Sequence, residues 1–552
     1  MSRVFLTTSS LLVFLSVASA ARIVHNWEVG AVHVDRAGAG ARYAIGVNGR
    51  LPLPLVRATL GDVLVFNVKN SLSQPTALHI HGYFFNGTSF YDGADMISSC
   101  SIAPNTTFTY EIPAVQAGTY WIHGHTNHEN ADGLRGPLIV DKPNEPFQYN
   151  DELLFVFEDW YSMPFAERLS RSIEHVESPR SLINGIDARE AKELYLAEGT
   201  TYRIRLLNIA STAWYEFALE NHEMQVIELD GVLCKRSPVR SVRLAPAQRV
   251  SVLVTAHAGP SSADYDRYTV RQYFPHLANQ AEPPAHGADS QTEDIYGSNI
   301  VVKQDSPSDS PLQRASWNRH RRRYQQLPAF NDISLVPLSN KDNDDDTDAS
   351  EDALSTPDRR IRLELGSGRS SDGRTHSFIN GIAFSKPRIP AIYTALTAGS
   401  LAMDPRVYGE HTNTVVLKSM EVIELVLWNN STMAHPMHLH GHTFQLYEYG
   451  CTDADHDECG SKDMAFKAGS SPMRRDTVSV GPFQYAVIRF KASNPGMWLM
   501  HCHIDTHHAQ GMAMLFAEAP EVLQQTPDMP LSVRDQCLLQ GAATSVNSTS
   551  ND

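Results

Sequence analysis

The chain reads as an all-β protein of three consecutive β-sandwiches, and three observations predict this. At 552 residues it is too long for one hydrophobic core and divides into three domains of ordinary size. Short apolar runs alternate with polar residues and are separated by Gly, Pro and Asn turns at regular intervals, as in antiparallel sandwiches. One strand plan also recurs. Residues 61–68 run through a polar turn into His79, residues 420–427 do the same into His435, and Thr201–Asn208 repeats the strand with no histidine pair after it. The outer domains are therefore expected to carry the chemistry, and the middle one to space them and shape a substrate wall.

The elements follow in order. Residues 1–20 hold Arg3, an apolar stretch over 4–17 and Ala18-Ser19-Ala20, a small-x-small cleavage pattern, so they are expected to be a secretion signal. That stretch is too short for a membrane span. No later run is long and apolar, and the tail 541–552 is polar, so no membrane anchor is seen and an extracellular protein is expected. Loss of Arg3 makes the formal net charge of −16 one unit more negative, which disfavours nucleic acid and anionic lipid as partners. Asn86, Asn105, Asn429, Asn430 and Asn547 begin glycan acceptor sequons. The first domain is assigned to 21–145, the second to 146–305 and the third to 359–522, with a tail over 523–552. Between the second and third lies a variable connector, 306–358. Arg319-His320-Arg321-Arg322-Arg323 is basic, 342–352 is acidic, and 331–335 between them is a possible strand; a solvated connector is favoured over a docking segment.

Histidine sets this chain apart from an ordinary sandwich. Among 24 His, chance would give about one His-x-His pair. The chain has five: His79/His81, His123/His125, His438/His440, His440/His442 and His501/His503. Alternate side chains of a strand face opposite ways, so in His501-Cys502-His503 the thiol points one way and the imidazoles the other. One strand can then serve two metal sites. A thiolate with imidazoles and a long axial thioether is the ligand set of a blue copper, and Met512 stands where such a thioether could come from. Cys502 is thus the expected electron entry point. Paired imidazoles on one face sit roughly 7 Å apart, which suits neighbouring ions better than one shared ion.

In order, His79-Ile80-His81, His123-Gly124-His125, His435-Pro436-Met437-His438-Leu439-His440 and His501-Cys502-His503 with His507 and Met512 resemble the multicopper oxidases: laccases, ascorbate oxidases and iron-uptake ferroxidases. The flanking words Gly118-Thr119-Tyr120-Trp121, Asp132-Gly133-Leu134-Arg135-Gly136-Pro137-Leu138 and Pro472-Met473-Arg474-Arg475-Asp476-Thr477 fit as well. The resemblance covers almost the whole mature chain. It implies three cupredoxin domains and four coppers. His435, Cys502 and His507, with Met512 axial, would bind type 1 copper. His79 and His438 would bind type 2. His81, His123 and His503 would hold one type 3 ion, and His125, His440 and His501 the other. The implied reaction is one-electron oxidation of a small phenolic or related reducing donor, coupled to four-electron reduction of dioxygen to water. Asp92 matches an acid beside the first cluster, and Asp505 stands where many members have Glu, one methylene longer; both are candidate proton carriers.

By the same resemblance, Cys100 and Cys537 are matched as a bridge. Cys451 and Cys459 bracket a short acidic loop and could close it, which leaves Cys234 as a buried, inert thiol. His128, His442 and His508 adjoin the motifs without matching ligand positions and are expected to support ligands or lie at the surface. Phe444, Trp498 and Tyr120 are expected to pack the core.

Ferroxidases of the family place carboxylates beside the type 1 histidine, and residues 429–434 before His435 contain none. Glu174 and Glu177 lie where another such carboxylate could be sought. Laccases often use an Asp of the second domain to take a phenolic proton. Ser211-Thr212-Ala213-Trp214-Tyr215 has none, with Glu216 and Glu223 nearby. A laccase-like oxidase of phenols is the default expectation, with ferroxidase the runner-up and ascorbate oxidase an alternative. A non-catalytic cupredoxin that only binds partners would require a lost ligand, and none is lost.

Overall fold

The recurring strand plan folds three times into one unit. In the computed structural model, Val63–Asn70 pairs in parallel with Arg22–Val34 and antiparallel with Thr107–Pro113. Thr201–Asn208 sits likewise between Asp151–Trp160 and Arg249–Thr255. Val422–Asn429 does so between Arg359–Arg369 and Gln484–Lys491. A second sheet faces each of these three, giving six sheets in three sandwiches among the described residues. Those residues are 20–170, 179–257, 266–273, 294–303, 311–338, 354, 356–369, 374–452, 464–466, 470–525 and 529–542. The signal over 1–19, Glu174, Glu177, the acidic run 342–352, Cys459 and Asn547 lie outside them.

The second sheets of the outer domains hold the histidine strands. Leu78–His81 pairs with Gly118–Gly124, and His435–Leu439 with Gly496–Cys502. All four strands are buried along their whole length, whereas Thr107–Pro113 alternates exposed and buried positions. A strand covered on both faces loses that alternation. Here one face meets the sandwich interior and the other meets the opposite outer domain. One apolar core accordingly runs from Leu64, Phe66 and Tyr83 to Leu425, Phe490 and Trp498. The middle domain packs its own core around Ile204, Phe217, Val252 and Val270.

Polar ties lock the domains together. Glu228 of the middle domain accepts the Thr119 N–H at 2.7 Å and pairs with Arg203 at 2.7 Å and Arg205 at 3.5 Å, all buried. Cys100 and Cys537 form the expected disulfide across 437 residues of sequence. Cys234 is buried and free.

Three expectations change. Residues 331–335 do not form a strand: Asp332–Ser334 is a 3-10 turn, because the Asp332 carboxylate is drawn inward to Arg475 and Tyr449. The basic run is helical, within Pro311–Gln325. Asn429 is not placed to carry a glycan, since it is 0% exposed and its amide donates to the carbonyls of Met433, Val480 and Gly481. Asn430 next to it is exposed. No described helix is long and apolar enough to cross a membrane.

Candidate metal centre

Strand register brings the histidines together. His79 lies opposite His123, and His438 opposite His501. The two pairs belong to different domains, and the interface presses them into one cluster. His79 stacks on His440 with ring centroids 4.1 Å apart, His81 on His438 at 3.7 Å, and His125 meets His501 at 5.3 Å. Pairs along one strand are closer than strand rise alone gives, as the rings lean inward: 6.1 Å for His79/His81 and 5.3 Å for His501/His503.

Hydrogen bonds fix which nitrogen faces the centre in six of the rings. An N–H must donate to a carbonyl or carboxylate, so the other nitrogen of the neutral ring carries a lone pair. His79 Nδ1 donates to the Asp92 carbonyl at 2.7 Å, His123 Nδ1 to the Gly124 carbonyl at 3.1 Å, and His438 Nδ1 to the Asp476 carbonyl at 2.9 Å. His440 Nδ1 donates to the Asp92 carboxylate at 2.9 Å, and His501 Nδ1 to the Cys502 carbonyl at 3.0 Å. His81 is reversed: its Nε2 faces the Asp476 carboxylate at 3.1 Å.

The consequence is a knot of lone pairs. His79 Nε2, His81 Nδ1, His123 Nε2, His125 Nε2, His438 Nε2 and His503 Nε2 are buried with no hydrogen-bond partner. His440 Nε2 and His501 Nε2 face each other at 3.2 Å with no proton between them. Protonation is no remedy: burial, reinforced by the neighbouring rings, holds His81, His123, His125, His438, His440 and His503 well below the usual histidine range. His501 is pushed down to about 3, burial again being the main cause. Orphaned buried acceptors are costly. Cations relieve the cost, and His79, His81, His123, His438, His440 and His501 are already held through their other edge as metal-bound imidazoles are.

A second knot lies on the opposite face of the Cys502 strand. Cys502 Sγ is 3.7 Å from His435 Nδ1 and 3.6 Å from His507 Nδ1, and those two nitrogens are 3.1 Å apart. Met512 is fully buried beside them, accepting the Cys502 N–H at 3.0 Å through its carbonyl. Burial pushes the Cys502 thiol far up, so a thiolate forms here only beside a cation. A trigonal Cys and two His with a Met alongside is the donor set of blue copper. Every predicted ligand thus falls in one of two buried clusters.

The supporting residues were only partly legible. Asp92 is fully buried and takes the His440 N–H; Gly93 after it, at φ +83, has Leu78 O where a Cβ would sit, 2.0 Å away, so only glycine lets Asp92 lie against His79. Asp505 accepts from Asn130 at 2.9 Å, is pushed up to about 7 chiefly by burial, and lines a cavity of about 60 Å³ with His125, His501 and His503. His508 and His128 line it too, both half-buried, and His508 stacks on His501 at 4.3 Å. His442 is buried against Glu518 at 2.9 Å. Phe444, Trp498 and Tyr120 are core residues, as expected. Asp476 was missed. Its motif was visible, but its contact with His81, 395 residues away in sequence, was not.

Comparison with known proteins agrees with this geometry. Models described as multicopper oxidase match residues 28–145, 151–288 and 384–522. The iron transport multicopper oxidase fetC of Epichloe festucae is 32% identical, covering 100% of this chain and 85% of its own. The iron multicopper oxidase fer1 of Mycosarcoma maydis is 33% identical, covering 98% and 87%. Among solved structures, Fet3p, a multicopper oxidase that functions in iron import, superposes with a TM-score of 0.78 at 27% identity, covering 95% of this chain and 96% of its own. The laccase of Botrytis aclada shares the fold with a TM-score of 0.69 at 24% identity, covering 95% and 92%. With two buried ligand clusters of the right donors and relatives along its full length, this chain belongs to the multicopper oxidase family, a copper-dependent oxidoreductase with dioxygen as acceptor.

Proposed function

We propose that the chain is a secreted oxidase whose donor is ferrous iron. One observation carries this: relatives named as iron or iron transport multicopper oxidases match 95–100% of the chain at 30–34% identity. The phenol-oxidising reading was a default from sequence, and an outer-sphere phenol would need an exposed imidazole edge, of which there is little: His435 is 0% and His507 5% exposed. One observation still favours phenols or ascorbate. The side chain on His435 Nε2 is the Ser431 hydroxyl, at 2.8 Å, where a carboxylate would better hold a cation.

The ligand assignment proposed is that set out from the sequence, with His435, Cys502, His507 and Met512 around one copper and the other eight histidines around three. Bound copper supplies one-electron redox chemistry, collecting electrons singly and delivering them to dioxygen. The chain does the rest. His501-Cys502-His503 joins the two clusters through one stretch of backbone. Asp92 orients His440 and His79. Asp505, on the cavity beside His125, His501 and His503, is placed to pass protons to the reduced oxygen.

Two tests arise here. Specificity constants for ferrous iron, a methoxyphenol and ascorbate, compared at one pH and chloride level, should favour iron by about tenfold or more, equivalent to ~1.4 kcal/mol. An organic donor ahead of iron would restore the laccase-like reading. Asp505→Asn should slow reoxidation by dioxygen by about a hundredfold, at the lower end of general acid catalysis, and leave reduction by the donor alone. Stopped-flow measurement of both half-reactions decides, and equal slowing of the two would assign Asp505 a purely structural role.

A further inference from the structure

Among the described residues the middle domain adds no ligand to either cluster, yet a buried chain of charges runs from it to His81. Asp476 holds two histidines at once, His81 through its carboxylate at 3.1 Å and His438 through its carbonyl at 2.9 Å. Its carboxylate is gripped in turn by Arg249 of the middle domain, Nη1 to Oδ1 at 2.9 Å and Nη2 to Oδ2 at 2.7 Å, a bidentate pair that fixes the carboxylate plane. Arg249 Nε also donates to the Thr119 carbonyl at 2.9 Å, on the strand that carries His123. Behind Arg249 the charges alternate. Asp230 accepts the Arg249 backbone N–H at 2.8 Å and the Arg475 guanidinium at 3.0 Å, and Arg475 reaches Asp332 in the connector. Arg249, Arg475, Asp230 and Asp476 are all buried.

The buried carboxylates of Asp230 and Asp476 balance the buried guanidiniums of Arg249 and Arg475, and Asp332 at the far end is only partly buried. Burying an ion costs several kcal/mol unless it is matched. The acidic end of the chain of charges faces His81, where the lone pairs gather.

We infer that Arg249 is a positioning residue for the three-copper cluster: it holds Asp476 in the orientation that fixes His81 with Nδ1 inward, and through Thr119 it aligns the strand of His123. The middle domain thereby sets the cluster's geometry from outside it, and Asp332 in the connector anchors the far end. This rests on His81 being a cluster ligand, which copper counting on the unaltered protein tests by itself.

Arg249→Lys keeps the charge but cannot span Asp476 and Thr119 together. In the copper-loaded protein, the blue absorption band and the type 1 paramagnetic signal should stay, while the type 2 signal changes shape. Copper affinity of the cluster or the rate of reoxidation should fall about tenfold to a hundredfold, as for other residues that orient metal ligands. Reduction of the blue site by donor should be unchanged. Asp332→Asn touches neither His81 nor Asp476 and should give the same pattern more weakly. A cluster unaltered in both variants would overturn the inference. So would type 1 and cluster signals declining in step with thermal stability, which marks plain interdomain glue. Should Arg249→Lys fail to fold, the type 2 signal of Asp332→Asn decides alone.

Discussion

A Cys502→Ser protein is expected to lose the blue colour entirely and to fall to background turnover with every donor. The intense visible band of such a site arises from thiolate-to-copper charge transfer, and Cys502 Sγ lies 3.7 Å from His435 and 3.6 Å from His507. Serine replaces the thiolate with a hydroxyl that stays protonated in the same apolar setting. The histidines of the other cluster are oriented by Asp92, Asp476 and backbone carbonyls, that of residue 502 included, and a side-chain substitution removes none of these. Copper analysis should therefore return about one ion fewer, with the cluster's paramagnetic signal kept. A variant that remains blue would place the type 1 site elsewhere.

Glu228→Gln is expected to destabilise the protein by roughly 3 kcal/mol, the lower end for breaking a buried ion pair. Glu228 is fully buried and faces Arg203, Arg205 and the Thr119 N–H. Burial pushes its pKa up, but the two guanidiniums and the Ser251 hydroxyl outweigh that and bring it down to about 2. A carboxylate depressed on folding contributes stability that is full above its unfolded pKa of ~4.3 and is lost as pH falls through the folded value. The stabilisation should therefore disappear between about pH 4 and pH 2. Urea unfolding of both proteins at neutral pH and near pH 2 checks this. A loss below ~1 kcal/mol at neutral pH would class the pair with ordinary surface ion pairs.

How much was legible follows from where each signal lies. The copper ligands sit in short His-x-His words, and strand alternation alone separates Cys502 from its flanking imidazoles, so both clusters could be read from residue order. Three repeats of one strand gave away the three sandwiches. Long-range partners could not be read: Asp476 against His81, Arg249 against Asp476 and Glu228 against Thr119 join residues far apart in sequence, and nothing local marks them. The possible strand at 331–335 failed for the same reason, since Arg475 and Tyr449 turn Asp332 inward. His508 was set aside because it matched no ligand position, though it stacks on His501. The donor was the least legible, because it depends on what covers His435, and only the fold places Ser431 there.

The central claim, that two buried clusters of this chain hold copper, is tested most directly by counting copper in the purified, fully loaded protein while recording its visible and paramagnetic spectra. The account predicts about four ions per chain, a blue band, and type 1 and type 2 signals of about one copper each, the coupled type 3 pair staying silent. One copper or none at full loading would contradict it.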